Sequence, residues 1–450
     1  MKRKIYDELV KWKNESKGRT ALLIEGARRV GKTYIAEEFA KNNYKSYIIV
    51  DFSKVPNTVK ELFNNYIDNL DYLFTYLTQY YGVELYERES LFIFDEIQFC
   101  PKAREAIKHL VFDHRYDYIE TGSLISIKKN VKDILIPSEE EKINLYSMDY
   151  EEFLWAMGND LLMDYIKNCF QKKIPLGSDL HRKAMDYFKE YLIVGGMPQA
   201  VEEYSQTRNF QNVDKIKRTI INMYRDDIRK HSEKLNLKVE QIFDTIPSQL
   251  SKHEKKFNLS ILDEEARYRS FEGAFYWLMN ACLINIAYNT TEPNIGLGQR
   301  LDSNTLKCYM MDTGLLLSMT FNEKNIIDEQ IYKKIFFDSL EFNSGMILEN
   351  MVAQMLTCNN NKLYFFSRQD RENSINTMEI DFLISKNSIT SCHNIIPIEV
   401  KSSKRYTYTS LNKFMKKYNN YLDKPIIIHT KDLENSENIL YIPIYMTGIL

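Results

Sequence analysis

The segment Gly26-Ala27-Arg28-Arg29-Val30-Gly31-Lys32-Thr33 fits the pattern GxxxxGK[ST] without a mismatch. Each part of that pattern answers a physical need of phosphate binding. Glycines at Gly26 and Gly31 let the backbone bend tightly and bring its N–H groups against phosphate oxygens. A helix beginning near Lys32 points the positive end of its dipole at the same oxygens. Lys32 is placed to reach the β- and γ-phosphates, and the Thr33 hydroxyl to coordinate Mg²⁺. The candidate nucleotide contacts run through Gly26, Ala27, Arg28, Arg29, Val30, Gly31, Lys32, Thr33 and Tyr34.

A partner motif follows at Leu91-Phe92-Ile93-Phe94-Asp95-Glu96. Four apolar residues bury a strand and carry a carboxylate out at its end. Asp95 is the expected second magnesium holder, and Glu96 the general base that polarises an attacking water. Thr121-Gly122-Ser123 ends the next strand, so Ser123 or Thr121 is placed to sense a γ-phosphate; a plain turn is the alternative. Gln98 either lines the same site or only enters a helix.

The elements around these motifs alternate. Apolar runs at 21–25, 46–51, 91–95, 116–120 and 143–146 read as strands. Helical patterns lie between them at 32–42, 57–81 and 101–112, after a basic helix at 2–14. Such alternation predicts a parallel sheet covered on both faces, with ligands at the carboxyl ends of the strands. From Asp149 to about Lys234 the pattern is helical, broken at 175–177 and 195–198. Three helical segments and two strand-like runs, 283–288 and 306–311, then follow in an order that suits a winged helix. An apolar helix at 340–357, short strands, and an amphipathic helix at 410–421 complete the chain.

The stretches WKNESKGRTALLIEGARRVGKTYIAEEFA, LFIFDEIQ, YIETGS and LYSMDYEEFLWAMG resemble the prokaryotic AAA+-type ATPases that carry a C-terminal domain of unknown function. YLIVGGMPQAV, MYRDDI and KCYMMDTGLL agree, so the resemblance spans nearly the whole chain. It implies an AAA+-like core, then helices, a winged-helix-like region and a nuclease-like end, beside the ATP and Mg²⁺ that the phosphate loop and Asp95 already call for as cofactors. It departs from the family at Ile134–Ser138, which lacks the usual Gly-Arg pair. The expected class is therefore α/β and multidomain: a P-loop NTPase parallel sheet with an AAA+-like core, a helical and winged-helix-like middle, and a restriction-endonuclease-like α/β domain. The expected divisions are 1–150 for the ATPase, 151–235 for a helical lid, 236–330 for the winged-helix-like part and 331–450 for the last domain. Phosphoryl transfer normally draws on an arginine. Arg225 in Tyr224-Arg225-Asp226-Asp227 is the candidate, with a helix-surface ion pair as the competing role.

A second constellation lies near the C-terminus, in Glu379-Ile380-Asp381 and Glu399-Val400-Lys401. Strand alternation puts Glu379 with Asp381 on one face, and Glu399 with Lys401 on one face. If the strands pair, Asp381, Glu399 and Lys401 converge. Two carboxylates would then hold Mg²⁺ and the lysine would orient water, with Glu349 adding a ligand or holding Lys401. The pattern is similar to the D…ExK signature of restriction-endonuclease-like folds. A domain that binds without cutting is the other reading. The basic run from Lys401 through Lys404 and Arg405 to Lys417 either meets DNA phosphates or is a solvated face.

The totals bound these readings. The net charge of −2 announces no nucleic-acid partner, although 60 Lys and Arg leave room for local patches. The six cysteines show no CxxC pair, which argues against a disulfide framework or a structural zinc site. No run reaches the roughly 20 apolar residues of a membrane span. The N-terminus has no apolar signal region, and the cytoplasm is the expected location. Two partner classes remain, DNA processed by an ATP-driven effector or a protein gated by nucleotide state. A small-molecule kinase fits less well, because a kinase does not need a water-activating Glu96. Oligomers would complete such sites at subunit interfaces.

Overall fold

The computed structural model describes residues 1–122, 136–230, 233–252, 254–264, 267–294, 296–321, 332, 334, 344–370, 377–386, 393–403 and 406–450. Packing divides the chain into two compact units. The first is Met1–Tyr146 with Asn280–Cys282, and the second is Ser147–Met279 with Leu283–Leu450.

The first unit is a five-stranded sheet, all parallel, with strands β1 Ala21–Glu25, β2 Ser46–Asp51, β3 Ser90–Asp95, β4 Asp117–Thr121 and β5 Glu140–Asn144 in the order β2-β3-β4-β1-β5. Strands β1, β3 and β4 are buried along their whole length, as a sheet covered on both faces requires. Helix α1 Ile5–Ser16 precedes them, and α2 Lys32–Asn43, α3 Asn57–Asn65, α4 Leu70–Tyr81 and α5 Pro101–Asp113 run between them. The helical stretch read at 57–81 is two helices. The side chain of Asn69 accepts from the backbone N–H of Tyr72 at 3.2 Å, and this cap starts the second one. Helices α3, α4 and α5 bury Phe63, Phe74 and Ile107 against Phe52, Phe92, Phe94 and Tyr118. Phe63 meets Phe94 edge-on at 5.5 Å, and Phe92 stacks on Tyr118 at 5.8 Å. Arg104 of α5 adds a buried fork to Glu140 of β5, at 2.8 and 2.9 Å.

The second unit begins with helices α6 Tyr150–Ala156, α7 Asp160–Lys172, α8 Ser178–Val194, α9 Pro198–Thr207, α10 Phe210–Arg229, α11 Glu233–Leu250 and α12 Tyr268–Asn280. Strands β6 Ile284–Thr290 and β7 Leu301–Met310 follow, then α13 Thr313–Thr320 and α14 Ser344–Cys358. Strands β8 Tyr364–Arg368, β9 Met378–Ser385, β10 Ile395–Val400, α15 Thr409–Tyr418, β11 Ile426–His429, β12 Glu434–Asn435 and β13 Leu440–Pro443 end the fold.

The expected winged-helix module is not set apart. Strand β6 pairs with β7 and also, in parallel, with β8. Its hairpin therefore belongs to one eight-stranded sheet, β12-β13-β11-β10-β9-β8-β6-β7, shared with the C-terminal strands. The order of helices and strands matched a winged helix, but long-range pairing of β6 decided the outcome. β7 ends that order, and an open strand edge invites wrong pairing. Asn350 of α14 closes part of it, accepting from the N–H of Met310 at 2.8 Å and donating to its carbonyl at 3.3 Å.

Two sequence motifs without chemistry find a structural role in this unit. The Asp312 carboxylate accepts from the N–H of Gly196 at 2.6 Å and from the N–H of Leu315 at 2.9 Å, capping α13. The N–H of Met148 donates to the Gly196 carbonyl at 2.7 Å. A Cβ at Gly196 would lie 2.0 Å from the Met148 carbonyl oxygen, so only glycine permits this approach. The Gly-Gly-Met-Pro and Asp-Thr-Gly motifs are thus two halves of one clasp.

Candidate nucleotide site and a second carboxylate cluster

In the first unit the loop between β1 and α2 is held by its own side chains and by the N-terminus. The Lys32 ammonium is buried and donates to the carbonyls of Gly26 at 3.0 Å and Ala27 at 2.9 Å. Burial lowers its pKa; the carboxylates of Glu96 and Asp95 work in the other direction. A Cβ at Gly26 would stand 2.2 Å from the Leu145 carbonyl oxygen, so the loop lies directly against the chain leaving β5. Arg3 was not singled out by sequence. Its buried guanidinium donates to the carbonyls of Val30 at 2.8 Å and Tyr146 at 2.7 Å, tying the loop to that same chain. A lone arginine before an amphipathic helix gives no sequence signal of this. Arg28 and Arg29 are exposed, and Tyr34 is exposed with its hydroxyl accepting from the N-terminal amine at 2.8 Å.

The strand order brings the other motif residues to the same edge. Register pairs Ile24 with Thr121 and Phe94 with Glu120, so the ends of β1, β4 and β3 lie level. Thr33 Oγ1 donates to Asp95 Oδ1 at 2.8 Å, and Thr121 Oγ1 donates to the same oxygen. Glu96, in the left-handed region at φ 53, accepts from the Gln98 side chain. The hydroxyl of Thr33 and the carboxylate of Asp95 are the donor set a P-loop magnesium needs, and they are adjacent here. Ser123 lies outside the described residues. Thr121 sits on Asp95.

Arg225 belongs to the second unit. Its guanidinium donates to Asp244 Oδ1 of α11 at 2.8 and 3.0 Å and to Asn222 at 3.3 Å, the geometry of a helix-pairing ion pair.

The carboxylate cluster of the second unit forms, but around a different centre. Pairing of β9 with β10 brings Asp381 to Glu399 and Lys401. Asp381 Oδ2 accepts from the N–H of Val400 at 2.9 Å, and Lys401 donates to Glu399. Glu349 does not hold Lys401. Lys307 of β7, only 1% exposed, enters the cluster instead. Its ammonium stands 3.2 Å from Glu349, 3.2 Å from Glu379 and 3.7 Å from Asp381. Glu349 also accepts from Tyr309 at 2.6 Å and from Lys255. Burial pushes the Glu349 carboxyl up, but Lys307 and Lys255 outweigh it and hold the pKa at about 2. Burial, then the neighbouring Asp381, pushes Glu399 up to about 8. Burial disfavours the charged Lys307, and the surrounding carboxylates overcome it and raise its pKa. Lys404 and Arg405 lie outside the described residues. Among the described residues no group of three or more His, Cys, Asp or Glu side chains is arranged to hold a metal ion. Cys100, Cys169, Cys282 and Cys308 are free thiols, and no described helix is long and apolar enough to cross a membrane.

Comparisons with known proteins agree with the first unit. Residues 18–154 match a family model described as an AAA domain. Residues 185–325 and 344–446 match two domains of unknown function, DUF8612 and DUF4143. No curated protein matches the chain. Among solved structures, the Walker-type ATPase of Pyrococcus abyssi is 12% identical, with a TM-score of 0.42 over 71% of this chain and 95% of that one. The Aeropyrum pernix ORC1 protein in complex with DNA is 10% identical, with a TM-score of 0.28 over 72% and 94%. The first unit thus carries the match to an AAA domain, within a multidomain α/β chain.

Proposed function

We propose that this protein binds MgATP at the first unit, hydrolyses it, and couples the nucleotide state to DNA binding or processing by the rest of the chain. The observation that carries the nucleotide part is the meeting of Lys32, Thr33, Thr121 and Asp95 at one sheet edge. Thr33 and Asp95 would hold Mg²⁺, which supplies charge stabilisation of the phosphates when bound. Lys32 exchanges its carbonyl partners for β- and γ-phosphate oxygens. Glu96, next to the Asp95 carboxylate, orients the attacking water and takes its proton.

A second reading is favoured by Lys307. With that lysine inside the carboxylate cluster, the protein is a nucleotide-gated interaction switch whose nuclease-like sheet does not cut. Phosphate release in Mg²⁺ with and without duplex DNA separates the two. The first reading expects turnover to rise about tenfold with DNA, a change of about 1.4 kcal/mol in barrier. A rate indifferent to DNA transfers the weight to a protein partner.

A further inference from the structure

Deepening the second of those readings, we infer that the Lys307 ammonium is the resident cation of the cluster in the second unit, standing where a nuclease would hold a divalent metal. Lys307 is almost wholly buried on β7, and its nearest charged neighbours are Glu349 on α14 and Glu379 and Asp381 on β9. Three elements distant in sequence thus converge on one ammonium. A buried charge survives only where it is paired, and this one is paired from two sides.

Glu349 and Asp381 are engaged by other donors too. Glu349 takes a hydroxyl from Tyr309 and a second ammonium from Lys255. The other oxygen of Asp381 takes the Val400 N–H. A divalent cation needs about six oxygen ligands at 2.0–2.6 Å. Placed among these carboxylates it would sit against the Lys307 charge and would have to evict it. The cluster therefore acts as an internal ionic lock that joins β7, α14 and β9 without metal. Alternation along Lys307-Cys308-Tyr309 puts the lysine and the tyrosine on one face, so both reach Glu349 from the same strand.

The test counts Mn²⁺ bound by the full-length, nucleotide-free chain, read by the electron paramagnetic resonance of free Mn²⁺. Neither ATP turnover nor DNA enters, so its failure is distinct from failure of the proposed function. Wild type and Asp381→Asn are expected to bind the same number of ions. Lys307→Ala is expected to gain one further site, lost again in the double variant Lys307→Ala with Asp381→Asn. Where Lys307→Ala does not fold, Lys307→Gln keeps the side-chain bulk and carries the same comparison. The inference is overturned if wild type holds an ion that Asp381→Asn lacks, or if neither substitution of Lys307 creates a site.

Discussion

Glu96→Gln is expected to lower ATP turnover by about 10²–10⁴-fold while MgATP stays bound, the usual worth of a positioned general base. The substitution keeps size and hydrogen bonding and removes only proton affinity. Glu96 follows directly on the strand that carries Asp95, and its backbone turns into the left-handed region there, so its side chain leaves the strand at the sheet edge. Gln98 holds it through an amide hydrogen bond. Loss of turnover together with loss of nucleotide affinity would instead mean that Glu96 helps to hold the nucleotide. Turnover within threefold of wild type would remove the base from this residue. Fluorescent-nucleotide titration beside phosphate release separates these outcomes.

Asp312→Ala is expected to destabilise the second unit by about 2–4 kcal/mol. Two buried backbone donors, the N–H groups of Gly196 and Leu315, lose their acceptor. Each orphaned donor costs about 1–3 kcal/mol, and part of the loss is offset because a buried carboxylate no longer has to be desolvated. Asp312→Asn keeps one oxygen and should lose less. Urea unfolding monitored by tryptophan fluorescence checks the ranking. A midpoint for Asp312→Ala equal to that of Asp312→Asn would show that the clasp does not depend on these bonds.

The phosphate-loop motif was legible because it is local. The loop, the strand before it and the helix after it are contiguous, so Gly26 to Thr33 announced their own geometry. Asp95 and Thr121 were legible because each ends an apolar run, and a parallel sheet brings such ends together. Arg3 was not, since its partners Val30 and Tyr146 lie far along the chain and are backbone carbonyls, which no side-chain pattern reveals.

The same limit shaped the second unit. Alternation could group Asp381 with Glu399 and Lys401, because β9 and β10 pair as neighbours. It could not bring Lys307 to them, since that meeting depends on the whole order of an eight-stranded sheet. The pairing of β6 with β8 was hidden for that reason too: a hairpin looks the same in sequence whether or not a third strand joins it. Gly196 and Asp312 read as motifs without a purpose until the fold placed one against the other.

The most direct test of the account is phosphate release from ATP by the full chain in Mg²⁺, wild type beside Lys32→Ala. Wild type is expected to turn over ATP steadily, a rate abolished by a chelator and reduced at least about 10²-fold in the variant, as loss of a lysine that carries charge to the transferring phosphoryl group would require. Equal turnover by the two proteins would place any hydrolysis elsewhere and contradict the assignment of the loop from Gly26 to Thr33.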